Sequence, residues 1–245
     1  MFQNTTAIVI AAGKSTRMNG EVKVLCEVNG RPLIHYLLDT LAAIGITKPI
    51  VVVSYQQERV RAALAGYPVQ FVDQGEPKGT GHAVQVAQST IDPTIERAFL
   101  CYGDTPFLSV GTFQKVYTVL DDPTVVCSLV TTTKTHETEK FGRITRNRSN
   151  DVQAIIEYKN ATPAQLALTE VNAGGYCARL PWLWETLAKV KPNSVTQEYY
   201  LTDIVKLAIA NGQRVVPVMV DPSEAHGIDT PELLAYVQGL KAGDI

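Results

Sequence analysis

Several things are scarce in this sequence, and each scarcity removes a class of protein. Net charge is nearly absent: 22 Lys and Arg face 24 Asp and Glu, leaving −2 at pH 7. Such a balance gives no general attraction to nucleic acid or to an anionic membrane. No apolar run approaches the ~20 residues that span a bilayer. The opening stretch MFQNTTAIVIAAGK lacks a basic start leading into an apolar segment, so no secretory signal is read there. Cysteine is sparse. Cys26, Cys101, Cys127 and Cys177 lie far apart with no CxxC, which speaks against zinc ribbons and thioredoxin chemistry. Buried, reduced thiols in a cytoplasmic protein are the expectation. There is no internal repeat, no low-complexity linker and no convincing Ser/His/Asp set.

What is present is a hydrophobic content of 45% over 245 residues. That suffices for one large α/β domain, or for such a domain with a small insertion. The first half alternates strand and helix signals. Strands are expected at residues 5–11, 49–54, 69–73, 97–104 and 124–133. Helices are expected at 31–45, 56–66, from about Thr80, and at 110–120. Short apolar strands separated by helices indicate βαβ units and a mostly parallel sheet covered on both faces. After Thr133 the texture turns polar, with alternating pieces at 143–146 and 152–158 that read as β-hairpins beside the sheet. A strand at 170–180, helices at 181–189 and 198–211, a strand at 214–220 and a helix at 231–240 complete the pattern.

The stretch AIVIAAGKSTRM, residues 7–18, ends its loop in Gly13-Lys14-Ser15, like the tail of a P-loop. The Walker pattern GxxxxGK[ST] would need its first glycine at position 8, where Ile8 stands. A GxGxxG fingerprint fails too, because Gly13 is alone between Ala11 and Met18. A strand entering a small-residue turn remains, followed by Lys14, Arg17 and, further on, Lys23. Such a turn lets backbone N–H groups approach a phosphate or a base, and Arg17 offers a forked donor. The loop by itself also reads as a solvated basic turn after a strand, with nucleotide binding slightly favoured.

In order along the chain come IAAGKSTRM with KVL (23–25), QGEPKGTGHA (74–83), YGDTP (102–106), FGRI (141–144), IEYKNAT (156–162), VNAGG (171–175) and EYYLTD (198–203). This ordered set resembles the sugar-1-phosphate nucleotidyltransferases. Within them it is most similar to the uridyltransferase portion of the bacterial bifunctional N-acetylglucosamine-1-phosphate uridyltransferases. The resemblance covers nearly the whole chain. It implies an α/β fold with a Rossmann-like, mostly parallel mixed sheet of the nucleotide-diphospho-sugar transferase type. One nucleotidyltransferase domain over 1–245 would carry a small β-rich sugar-binding subregion at about 134–178. No hexapeptide-repeat acetyltransferase segment is seen, so no acetyl transfer is expected of this sequence.

The resemblance also implies a reaction and its residues. A sugar 1-phosphate would attack the α-phosphorus of UTP in line and release pyrophosphate. The attacking oxygen is already anionic, so the task is to bring polyanions together. Arg17 would hold the leaving phosphates, and Lys23 would neutralise the α-phosphate and the incoming one. Ala11, Ala12, Gly13, Gln74, Gly79, Thr80 and Gly103 would hold the nucleotide. Gly142, Glu157, Asn172, Tyr200 and Thr202 would contact the sugar. Asp104 and Asp229 would share Mg²⁺, a hard ion suited to oxygen ligands and phosphates. Each has a plainer alternative: Asp104 as an aspartate turn before Pro106, Asp229 as a helix cap, Lys23 as a surface lysine. His82 is expected to be structural, since the reaction needs no acid–base group.

The sequence departs from the family pattern at Val22 (proline), Ala173 (Thr or Ser), Gln197 (Gly) and Asp229 (Asn), which loosens the sugar assignment more than the chemistry. The expected partners are UTP and a sugar 1-phosphate, with no nucleic acid and no membrane. The competing readings are a nucleotidyltransferase for another sugar or base, a non-catalytic nucleotide-sugar sensor and, more distantly, a P-loop NTPase.

Overall fold

The structure is a computed structural model that describes residues 2–240. Its strands are β1 (Thr5–Ile10), β2 (Glu27–Val28), β3 (Arg31–Pro32), β4 (Ile50–Val53), β5 (Gln70–Asp73), β6 (Arg97–Tyr102), β7 (Val125–Thr133), β8 (Arg143–Arg146), β9 (Val152–Ile156), β10 (Glu170–Arg179) and β11 (Arg214–Val220). Its helices are α1 (Leu33–Ala43), α2 (Gln57–Ala63), α3 (Thr80–Val86), α4 (Val110–Thr118), α5 (Pro163–Leu166), α6 (Leu180–Leu187), α7 (Asp203–Ala210) and α8 (Pro231–Gln238).

The main sheet runs β11-β7-β10-β6-β1-β4-β5. β1 pairs parallel with β4 and β6, β4 with β5, and β11 with β7. β10 enters antiparallel between β6 and β7, so the sheet is mixed but largely parallel. The β8–β9 hairpin hangs from β10 through the pair Val171 and Arg143.

Strand alternation explains the layering. Ala7 and Val9 of β1 pack on one face with Leu37, Leu41 and Phe99, while Ile8 and Ile10 pack on the other with Ala83, Val84 and Leu100. A run of four successive buried apolar residues, 7–10, is what a sheet covered on both sides requires. Helix α1 buries Leu33, Ile34, Leu37, Leu38 and Leu41 along one stripe. Gly45, at φ +89°, takes the left-handed turn that ends it.

Two expectations change. Arg31 and Pro32 do not belong to α1. They pair with Glu27 and Val28 in a short antiparallel ribbon, and Pro32 at ψ 141° is the extended residue before the helix. Residues 198–202 are not helical, and α7 begins only at Asp203. The reason is that Tyr199 and Leu201 give their N–H groups to the 78–80 segment instead of to a helical ladder. β10 lies within the main sheet, and β8 and β9 extend it off the main path. All four cysteines are free, with Cys101, Cys127 and Cys177 buried and Cys26 half-buried. No helix among the described residues is long and apolar enough to cross a membrane.

Candidate active site

The C-terminal ends of parallel strands are where open α/β sheets bind ligands. Here the β1 end leads into the 11–18 loop and the β6 end into Gly103 and Asp104. Ala11 donates its N–H to Val52 O at 2.8 Å, which ties the loop's root to β4. Beyond it, no hydrogen bond among the described residues uses the N–H of Ala12, Gly13 or Lys14. Three successive unused amides in a small-residue turn make a donor surface for an anion or a base. Ser15, at φ +51°, accepts the Lys23 N–H on its Oγ at 2.9 Å and so sets the distance from the loop to Lys23. Gly103 lies against this wall. Its N–H donates to Ile10 O, and a Cβ there would come within 2.9 Å of Val24 Cγ1. A cavity of about 100 Å³ is lined by Ala11, Gly13, Ser15, Lys23, Thr80, Tyr102 and Asp104, among others.

Two cation–carboxylate pairs face this region. Lys23 Nζ pairs with Asp104 Oδ2, and Arg17 Nη2 pairs with Asp229 Oδ2 at 2.6 Å. Ile228 donates its N–H to Asp104 O at 2.9 Å, so the loop bearing Asp229 is pinned to the residue bearing the other carboxylate. The cap of α8 is Thr230, whose Oγ1 accepts from Leu233 N, so capping does not account for Asp229. The described residues hold no group of three or more His, Cys, Asp or Glu side chains suited to a metal. Two carboxylates on pinned neighbouring loops are nonetheless the donor set that Mg²⁺ takes when substrate phosphates complete its shell.

The KGTG segment has a different neighbourhood from the one its glycines suggest. Gln74 is 6% exposed, and its Nε2 donates to Gly79 O at 3.0 Å and to His82 Nδ1 at 3.1 Å. This leaves the Gln74 Oε1 without a protein partner among the described residues. The bond makes His82 Nδ1 an acceptor, and burial, with the Lys78 charge, pushes the His82 pKa down. Gly81 donates to Tyr199 O at 2.7 Å, so that amide is not open to a ligand.

Four of the five residues expected at the sugar, Gly142, Glu157, Asn172 and Thr202, are linked by direct contacts. Asn172 N–H donates to Gly142 O at 2.9 Å, and Thr202 Oγ1 donates to Glu157 Oε1 at 2.7 Å. A Cβ at Gly142 would sit 3.8 Å from Glu157 Oε2. Burial pushes the Glu157 carboxyl up from its ordinary range, against the hydrogen bond from Thr202. The Tyr200 hydroxyl pairs with Thr196 Oγ1 at 2.8 Å, and burial, with the charges of Glu198, Glu157 and Asp203, pushes its pKa up.

Residue-by-residue reasoning missed Tyr102 and Tyr176. Asn172 Nδ2 donates to the buried Tyr176 hydroxyl at 2.9 Å, while Asn172 Oδ1 accepts from Gly174 N at 3.2 Å. The Tyr102 hydroxyl is pushed up by burial and by the charge of Glu157, with partial relief from Thr80 and Tyr176. Tyr102 thus sits between the two sets. The tyrosine in YGDTP at the end of an apolar strand is the signal that could have found it.

Comparison with known proteins follows the same lines. Residues 7–162 match the MobA-like NTP transferase domain. The chain is 40% identical over 234 residues to the bifunctional protein GlmU of Anaeromyxobacter sp. (strain Fw109-5), covering 94% of this chain and 47% of that protein. It is 37% identical over 231 residues to the bifunctional protein GlmU of Desulfotalea psychrophila (strain LSv54 / DSM 12343), covering 93% of this chain and 68% of that one. The chain spans about half the length of several of the curated relatives it matches. A solved UDP-glucose pyrophosphorylase complexed with UDP-glucose superposes with a TM-score of 0.75 at 16% identity, over 96% of this chain and 97% of that one. That likeness gives the fold, a nucleotide-diphospho-sugar transferase sheet. On the family match and these identities, the chain belongs to the MobA-like NTP transferase domain family.

Proposed function

We propose that this protein is a sugar-1-phosphate nucleotidyltransferase, and that it transfers UMP from UTP to N-acetylglucosamine 1-phosphate. The observation that carries the reading is the pairing of Lys23 with Asp104 and Arg17 with Asp229 around unused loop amides. Two cations and two carboxylates on loops pinned together are what a reaction between two polyanions needs. A phosphate oxygen of the sugar phosphate forms the new bond to the α-phosphorus, and the bond from that phosphorus to the β-phosphate oxygen breaks. The electron pair leaves on pyrophosphate. Lys23 neutralises charge at the α-phosphate, Arg17 receives the departing pyrophosphate, and the amides of Ala12 and Gly13 cradle the nucleotide. The Gln74 Oε1 is suited to accept the single N–H of a uracil edge. Glu157 and Asn172 present acceptor and donor groups to sugar hydroxyls. Asp104 and Asp229 would hold Mg²⁺, which supplies charge neutralisation across the phosphates.

Support for the N-acetylglucosamine assignment comes from Gly142, Glu157, Asn172 and Thr202 clustering beside Tyr102. Ala173 and Asp229 favour a second reading, in which another hexose 1-phosphate is the acceptor. A pyrophosphate-release screen of nucleoside triphosphates against sugar 1-phosphates with Mg²⁺ separates the two. Release from UTP with N-acetylglucosamine 1-phosphate above all other pairs is expected. Release only with a different pair overturns the specific reading, and tight UTP binding without turnover on any pair overturns catalysis itself.

A further inference from the structure

Both hydrogens on the amide nitrogen of the buried Gln74 are taken by the protein. Nε2 donates to Gly79 O at 3.0 Å and to His82 Nδ1 at 3.1 Å. The first partner leaves no choice of orientation. Gly79 is the N-cap of α3, and its carbonyl also accepts the Ala83 N–H at 3.1 Å. A carbonyl can only accept, so the nitrogen end of the Gln74 amide must face it. The second partner therefore presents a lone pair, with the ring proton on His82 Nε2. Burial and the Lys78 charge, opposed by Glu76, hold the His82 pKa below its ordinary 6.5, which keeps that lone pair free at neutral pH. The Tyr199 ring lies beside the imidazole, 6.5 Å away between centroids. Gln74 Oε1 is left as the one amide atom without a protein partner among the described residues.

We propose that His82 is a positioning residue for base selection, holding the Gln74 amide in the one orientation that presents an acceptor to the nucleotide base. Uracil carries an N–H between two carbonyls and can donate to that acceptor. Cytosine carries a bare lone pair at the same ring position, so acceptor would meet acceptor. A half-turn of the amide would reverse the choice. It would also point Oε1 at Gly79 O and at His82 Nδ1, and those two contacts oppose it. The inference rests on the reading of Gln74 as the base-side group. It gives His82, which no proton transfer requires, a part in choosing the substrate.

The test compares the intact chain with His82→Leu, which removes the acceptor, and with His82→Asn, which puts a carbonyl oxygen where Nδ1 stands. His82→Phe repeats the removal should leucine pack poorly. Two quantities are read: kcat/KM for UTP, CTP and dTTP with the same sugar phosphate, and the protonation of the two ring nitrogens by nitrogen-15 NMR of the ligand-free protein. Loss of one partly buried hydrogen bond predicts that the preference for UTP over CTP falls by about fivefold to tenfold in His82→Leu. The preference for UTP over dTTP changes by less than about twofold, because thymine carries the same N–H. His82→Asn returns the first ratio to near its starting value. In the spectrum of the intact chain at neutral pH, Nδ1 is bare and Nε2 carries the proton.

An unchanged preference for UTP over CTP in His82→Leu overturns the proposal, as does equal use of UTP and CTP by the intact chain. A fall of both ratios together overturns it in favour of a general loosening of the pocket. A proton on Nδ1 overturns it whatever the kinetics, and that measurement needs no substrate. If the intact chain transfers nothing from any nucleotide, the functional reading fails, while equilibrium binding of UTP, CTP and dTTP to the same variants still gives the ratios that decide the role of His82.

Discussion

Replacing Gly174 by alanine tests how the two tyrosines are seated. Gly174 lies in the irregularity of β10 where the register to β7 shifts between Asn172 and Tyr176. Its φ is +83°, a conformation that costs an L-residue roughly 1–2 kcal/mol. The new methyl would sit 2.7 Å from Tyr102 Cδ2 and 3.0 Å from its Cε2. Overpacking of that kind costs about 1–3 kcal/mol. The sum is a loss of about 2–5 kcal/mol, and at ~2–4 °C per kcal/mol for a chain of this size the thermal midpoint falls by about 4–20 °C. Equilibrium urea unfolding measures the same loss as a lowered midpoint at unchanged slope.

Gly13→Ala is the control, because a Cβ there meets nothing within 4 Å and its φ is not positive. A second control pairs Gly174→Ala with Tyr102→Ala. The pair recovers the packing part of the loss and leaves the backbone part, so the coupling energy separates the two causes. Should Gly174→Ala unfold within about 0.5 kcal/mol of the original protein, the argument from Cβ contact and φ is wrong.

Two further outcomes follow from the site. If Asp104 has the metal-holding role proposed for it, Asp104→Ala lowers the pyrophosphate-release rate by at least about a hundredfold; a variant that keeps a tenth of the rate removes Asp104 from the reaction. Glu157→Gln changes the pH dependence of stability. Burial, opposed by the Thr202 hydrogen bond and the Lys159 charge, leaves the Glu157 carboxyl raised above its ordinary 4.5, with Asp203 and Glu198 adding to the rise. A carboxyl raised on folding binds its proton more tightly in the folded state. Its contribution is therefore fully present below the unfolded pKa and is lost as pH rises through the folded one. The amide that Glu157→Gln introduces has no proton to lose and still accepts from Thr202. The variant is accordingly close to the original at pH 4 and more stable than it at pH 7, by urea midpoints. A larger advantage at the acid end contradicts the sign.

The strands and helices were legible because each one's burial is written in its own periodicity. The β1 run TTAIVI and the α1 stripe at Leu33, Leu37 and Leu41 needed no partner to be seen. The failures came where a partner overrides local preference. EYYLT has helical texture, yet its amides go to Lys78 and Thr80 across 121 residues. Arg31 and Pro32 look like a helix start but form a ribbon with Glu27 and Val28.

For the site, the resemblance to a known family is what set Arg17, Lys23, Asp104 and Asp229 side by side as candidates. It could not say that Lys23 would pair with Asp104 and Arg17 with Asp229, nor that Thr230 would cap α8 and leave Asp229 to face Arg17. Tyr176 escaped because an apolar strand hides which hydroxyl it buries, and Tyr102 because it is the half-buried last residue of such a strand.

What the sequence alone determined was the alternation of buried strands and amphipathic helices, the chemistry of the loop residues and their order. Those properties are local, set by side-chain burial and backbone freedom within a few residues. The tertiary structure decided which strands are neighbours, above all the antiparallel entry of β10, and which loops are zipped together. Pairing between distant segments depends on packing that many weak contacts settle at once, and no single stretch of sequence carries it.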